Sequence, residues 1–109
     1  MALKLETLSA SNTLAQHQAI LSGIEALGYE LITFARGVVG GAKSNTATFR
    51  NRAPGDGPGP LTLVQVDGAK SPPDQEADVN AGETGGKRLI SYAAAFVQEV
   101  ETNVAAYRG

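Results

Sequence analysis

A chain of 109 residues has the size of one domain and can bury a single core. Its net charge of −2, with 9 basic against 11 acidic side chains and no basic run, argues against a protein that neutralises a phosphate backbone. With no cysteine there are no disulfides, thiolate metal sites or thiol nucleophiles, and a hydrophobic content of 42% without Trp specifies an aliphatic, alanine-rich core. No apolar run reaches about 18 residues, so no membrane-spanning helix is expected. The opening Met-Ala-Leu-Lys-Leu-Glu is too polar for a signal-peptide core, which points to a cytoplasmic or virion location.

Residues 3–8 begin with alternating apolar and polar side chains and predict a short strand with one buried face. Ser9, Ser11 and Asn12 offer N-cap oxygens for a helix from Thr13 to Leu27, whose apolar face is Leu14, Ile20, Leu21, Ile24 and Leu27. Gly28 is placed to leave that helix in a left-handed conformation. Tyr29 to Ala35 is β-rich and predicts a second strand. Gly37, Gly40 and Gly41 then punctuate a loop over 37–45. Asn45 to Asn51 alternates again, with Ala47 and Phe49 on one face and Thr46, Thr48 and Arg50 on the other. Residues 53–60 are Pro- and Gly-rich and read as irregular backbone. Leu61 to Val66 predicts another strand, and 67–86, polar with Pro72-Pro73, reads as a long loop.

From Lys87 to Tyr107 the residues Leu89, Ile90, Ala93, Phe96, Val97, Val100, Val104 and Tyr107 fall into one stripe at about 100° per residue. This spacing predicts a terminal helix. No internal repeat stands out. Residues 1–109 therefore read as a single α+β domain in the order β-α-β-β-β-α. The expected architecture has two layers, a mostly antiparallel sheet of about four strands with both helices on one face. Polar strand positions such as Lys4, Glu6, Thr46, Thr48 and Arg50 allow the other face to be solvated or covered by a partner.

Gly28-Tyr29-Glu30-Leu31-Ile32, followed by Thr46-Ala47-Thr48-Phe49-Arg50-Asn51-Arg52, resembles a family of short bacterial domains of unknown function. Those domains place a Gly-Trp-Glu-Leu-Val-like strand after a helix and end a second strand in aromatic and basic residues. The resemblance covers residues 13–52, with Tyr29 in place of the usual Trp. It implies helix–strand–strand order and brings no known activity.

Candidate sites follow from side-chain chemistry. His17, the single histidine, lies in the apolar stripe of the first helix and reads as a pH-sensitive or interface residue. No second His or Cys completes a metal site with it. Thr84, Gly85, Gly86, Lys87 and Arg88 open the predicted terminal helix and are candidate anion or ligand contacts. The phosphate-loop pattern fails there, because Ala81 and Arg88 stand where Gly and Ser/Thr belong. Asp74, Glu76, Asp78 and Asn80 alternate as Ca²⁺ ligands would, but Val79 and Gly85 break the EF-hand pattern. Val38 and Val39, flanked by glycines, are candidate partner contacts.

No cofactor and no metal site is expected, nor a catalytic constellation. The leading expectation is a non-enzymatic structural or assembly subunit, forming a homo-oligomer or part of a larger particle such as a virion. Its partner would be itself or another protein, with no nucleic acid and no membrane. The alternatives are a small binding or regulatory module for a peptide or small anion, and an enzyme without cysteine or metal that uses His17, Glu30 or Asp67 as base.

Overall fold

The computed structural model describes residues 3–53 and 59–109. In chain order it contains β1 (Leu3–Ser9), α1 (Leu14–Glu25), β2 (Tyr29–Val39), β3 (Ala42–Asn51), β4 (Leu61–Val66), α2 (Pro72–Ala81), β5 (Arg88–Val97) and β6 (Val100–Arg108). The class is α+β. The single sheet of about four strands with both helices on one face is corrected to two three-stranded antiparallel sheets, ordered β1-β3-β2 and β4-β6-β5, with α1 on the first and α2 on the second.

The first helix is capped by Thr13, not by Ser9, Ser11 or Asn12. Thr13 Oγ1 accepts from the Gln16 amide at 3.1 Å, and Gln16 Oε1 accepts from the Thr13 amide at 2.8 Å, a reciprocal capping box. Gly28 takes φ +100° just beyond the helix, as its position suggested. The buried face is His17, Leu21 and Glu25, with Leu14 and Ile24 partly covered. Ile20 and Leu27, expected on that face, are exposed.

Three other expectations are corrected. The terminal helix over 87–107 is the β5–β6 hairpin. Ala95, Phe96 and Val97 and then Val104 to Tyr107 are all buried, so both faces of these strands are apolar. A strand buried on both faces loses its period of two and cannot be told from a helix by periodicity. The 37–45 loop is also a hairpin, with β2 continuing to Val39 and turning tightly at Gly40 (φ +61°) and Gly41 (φ +81°). The 67–86 loop contains α2. Ser71 caps it, accepting from the Asp74 amide at 3.4 Å, and Pro72-Pro73 fill its first turn, where a missing N–H is harmless. Within 53–60, residues 54–58 lie outside the described residues.

The expected absence of an internal repeat is also corrected: the chain is built of two matching units. Strand, helix and hairpin occur twice, and adding 58 to a residue number in the first unit gives its twin in the second. Leu31-Ile32-Thr33-Phe34-Ala35 answers Leu89-Ile90-Ser91-Tyr92-Ala93. Ser44-Asn45-Thr46-Ala47-Thr48-Phe49-Arg50 answers Thr102-Asn103-Val104-Ala105-Ala106-Tyr107-Arg108. The caps Thr13 and Ser71 are twins, and the register shift between Leu31 and Thr33 recurs between Leu89 and Ser91. Even a local brace repeats. Glu25 Oε2 accepts the Leu31 amide at 2.7 Å, and Glu83 Oε2 accepts the Leu89 amide at 3.2 Å.

The two units stack in the same sense. One face of the second sheet, with Val66, Ala105 and Tyr107, takes α2 through Val79. Its opposite face, with Leu61, Leu63, Ala95, Val97, Val104 and Ala106, packs against the first unit. The first unit contributes Leu8, Leu31, Phe34, Ala47 and Phe49 together with Leu21 of α1. Those residues are on its own helix-bearing face. The helix-bearing face of unit one thus meets the helix-free face of unit two, leaving one face of each kind without a neighbouring unit.

Candidate functional site

The junction between the units is built from polar groups as well as apolar ones. Asn45 Oδ1 accepts the Phe96 amide at 2.8 Å, and Asn45 Nδ2 donates to the Phe96 carbonyl at 2.9 Å. A buried side-chain amide thereby serves both backbone groups of one β5 residue. His17 Nε2 lies 3.0 Å from the same carbonyl, which assigns the proton to Nε2. The 3.3 Å approach of Asn45 Nδ2 to His17 Nε2 is then two donors side by side on one acceptor. The ring packs edge-on against Phe34 at 5.1 Å and 61°. Its Nδ1 is buried and has no hydrogen-bond partner among the described residues. Burial lowers the His17 pKa, opposed in part by the hydrogen bond to Phe96.

Other bonds complete the junction. Gln18 of α1 reaches the open edge of β4, donating to the Leu61 carbonyl and accepting from the Leu63 amide at 2.6 Å. The β5–β6 turn donates from Gln98 to Asn12 at 2.9 Å and from Glu99 to Ala10 at 2.8 Å. Arg108 forms a bidentate, nearly buried ion pair with Glu25, at 2.9 and 2.6 Å. That pair, through its hydrogen bond first, raises the Arg108 pKa.

The twin of this apparatus lies open. Gln75, Tyr92 and Asn103 occupy the positions of His17, Phe34 and Asn45. They are joined by Asn103 Nδ2 to Gln75 Oε1 at 3.1 Å and to Tyr92 Oη at 3.2 Å. Beside them runs a groove of about 390 Å³ between α2 and β5, lined by Pro72, Gln75, Val79, Leu89 and Tyr92 among others. On the opposite side of the molecule the first sheet exposes Leu3 (58%), Leu5 (66%) and Val39 (55%).

The strand polarity there differs from expectation. Leu5 pairs with Thr48 and Leu3 with Arg50, so both leucines share the outward face. Lys4 and Glu6 side with Phe49 and Ala47, ion-paired to each other at 3.1 Å, with Lys4 5.5 Å from the Tyr29 ring centroid.

Val38 (73% exposed) and Val39 occupy the β2–β3 tip and project to opposite faces. Thr84, Gly85 and Gly86 form a turn, with the Lys87 amide on the Thr84 carbonyl at 3.2 Å, and Arg88 starts a strand. The helix start that motivated an anion site at Thr84–Arg88 is absent, since Arg88 begins β5. Asp74, Glu76, Asp78 and Asn80 lie on α2, where Asp78 pairs with Lys70 at 2.7 Å. Among the described residues no group of three His, Cys, Asp or Glu could hold a metal ion.

Leu3, Leu5, Gln75, Tyr92 and Asn103 were not singled out by sequence reasoning. The 58-residue offset was the signal available for them. No family model, curated protein or solved structure matches this chain. No described helix is long and apolar enough to cross a membrane.

Proposed function

We propose that this protein is a non-enzymatic structural or assembly subunit that associates with itself, as a homo-oligomer or as part of a larger particle, a virion being one setting. The observation that carries this reading is the open face of the first sheet. It presents Leu3, Leu5 and Val39 to solvent at positions whose twins Leu61, Leu63 and Val97 are core residues. Exposed apolar surface on a sheet face, with β1 as the edge strand of that sheet among the described residues, is a protein-contact surface in waiting. The catalytic alternative draws little from the geometry. His17 is sealed from solvent, Glu30 is ion-paired to Arg50, and Asp67 Oδ1 accepts the Ala69 amide at 2.9 Å.

The test is solution mass by light scattering across a concentration series. Self-association gives masses above 11.2 kDa that rise or hold with concentration. A monomer at every concentration sinks the reading. The groove beside Tyr92 favours a second reading, a module that binds an extended apolar peptide. A ligand at 100 times its Kd would then raise stability by about 2.7 kcal/mol, measurable as a thermal shift.

A further inference from the structure

Resting on the assembly reading and specifying its geometry, we propose that copies of this chain dock head to tail. The helix-free face of the first sheet of one copy would seat on the α2-bearing face of the next, repeating between molecules the junction that already exists within one.

The internal junction is the template, and its residues have twins at two other surfaces, where Leu3, Leu5, Val38 and Tyr92 are exposed and Leu89 is half-buried, while Val79, Ala105 and Tyr107 are already covered within the second unit. Leu61 and Leu63, which lie in the core cluster with Leu21, Leu31 and Phe34, have Leu3 and Leu5 as twins. The seat they occupy has the α2–β5 groove as its twin, with Val79, Leu89 and Tyr92 standing for Leu21, Leu31 and Phe34. Leu61 and Leu63 are each 6% exposed, so the same positions are covered in one unit and bare in the other. Phe96, whose amide and carbonyl are held by Asn45, has Val38 as its twin. Both occupy the same register, Phe96 opposite Glu101 and Val38 opposite Lys43, so their backbone groups face outward alike. The docked copy therefore offers Asn103 to the Val38 amide and carbonyl. Arg108, which crosses the junction to Glu25, has Arg50 as its twin, and Glu83 is its partner on the next molecule.

The surfaces are also modified relative to the template. Thr46 and Thr48 replace Val104 and Ala106, which makes the face between copies more polar than the internal one and its contact reversible. Glu76 replaces Gln18. Gln18 serves both a carbonyl and an amide of β4, whereas a carboxylate at Glu76 accepts from the Leu5 amide and repels the Leu3 carbonyl. Such a contact joins two different surfaces and is heterologous, so it closes into a ring if the rotation permits and otherwise propagates as a filament.

The test is sedimentation of the full chain and four preparations, with circular dichroism as a folding control. Leu5→Asp disables one surface and Tyr92→Asp the other, each expected to weaken self-association by at least about 100-fold. An equimolar mixture of the two recovers a dimer and stops there, because each contributes its one intact surface. Glu76→Gln, a change on an exposed helix position, tightens association by about tenfold. Loss of association by Leu5→Asp alone, with Tyr92→Asp behaving as the original chain, overturns head-to-tail docking while leaving the assembly reading in place. So does a mixture that stays monomeric, or a Glu76→Gln chain that associates no better. A monomeric original chain overturns both.

Discussion

His17, Phe34 and Asn45 sit at the same three positions of one structural unit as Gln75, Tyr92 and Asn103 do in the other. The first trio is buried and holds a β5 backbone; the second is partly open, bonded within itself and, through Gln75 Nε2, to the Gly68 and Lys70 carbonyls of its own unit. Local structure is therefore set unit by unit, whereas burial is set by what stacks on top. The chemistry follows burial. Where water is excluded, the side chains are a ring that keeps one proton and an amide that serves two backbone groups. Where water has access, Gln and Tyr suffice, since solvent can satisfy what they leave unmade.

The largest contrast expected between twins is at the arginines. Arg108 is paired with Glu25 in a setting where both side chains are at most 10% exposed. Arg108→Ala strands a buried carboxylate and is expected to lower stability by about 3–5 kcal/mol. Arg50, its twin, pairs with Glu30 at the surface, and Arg50→Ala is expected to change stability by less than about 1 kcal/mol. Urea unfolding in dilute solution compares them, and equal losses would mean that the two units are not distinguished by burial. Next in size is the asparagine pair. Asn45→Ala leaves the Phe96 amide buried and unpaired, at a cost of about 2–3 kcal/mol. Asn103→Ala removes bonds that water replaces and is expected to cost less than about 1 kcal/mol.

What the sequence conveyed divides along the same line. In the first unit β3 and the end of α1 are legible, whereas the facing of β1 and the hairpin over 37–45 are not. Ala47 and Phe49 share a buried face, Gly28 ends a helix, and Leu61 to Val66 of the next strand was placed to the residue. The β5–β6 hairpin of the second unit is hidden because it is covered on both sides. Phe96, Val97, Val104 and Tyr107 point to two faces of a sheet, yet at helical spacing they fall on one stripe. Pro72-Pro73, which reads as loop, starts a helix because the first turn needs no N–H there. The surroundings of His17 are hidden for another reason. The carbonyl that His17 donates to is 79 residues away at Phe96, and Asn45, which shares that acceptor, is 28 away; no local pattern encodes such distances. The duplication would have supplied the missing pairing, but its matched positions are spread across both units and are diluted by substitutions such as His17 to Gln75.

The histidine gives a smaller and pH-dependent contrast. Burial holds its folded-state pKa below the ordinary 6.5, so the unfolded chain binds the proton more tightly. Stability from this group is complete above that value and is lost as pH falls below it toward the folded-state pKa. His17→Gln installs the twin's residue and removes the proton exchange. The slope of unfolding free energy between about pH 7.5 and 5.5 is expected to flatten in this variant, since His17 is the single histidine of the chain. An unchanged slope would assign the dependence to carboxylates instead.

The smallest effect expected lies at the two hairpin turns. Both place two consecutive residues at positive φ, but the first uses Gly40 and Gly41 and the second Gln98 (φ +51°) and Glu99 (φ +67°). A non-glycine residue in that region is disfavoured by about 1 kcal/mol through contact of its Cβ with the backbone. The second turn bears this because its amides are spent on the Asn12 and Ala10 carbonyls of the first unit, which fixes the conformation from outside. Glu99→Gly keeps that amide and relieves the contact, while loosening the unfolded chain, so the net gain is expected at about 0.5 kcal/mol. Gly41→Glu, the reverse exchange at the tip that lacks such an anchor within the chain's own junction, is expected to cost about 1 kcal/mol. Thermal melts of both variants sharpen the comparison. If the first turn accepts the glutamate as easily as the second does, the strain is carried by the hairpins themselves and not by their contact with the neighbouring unit.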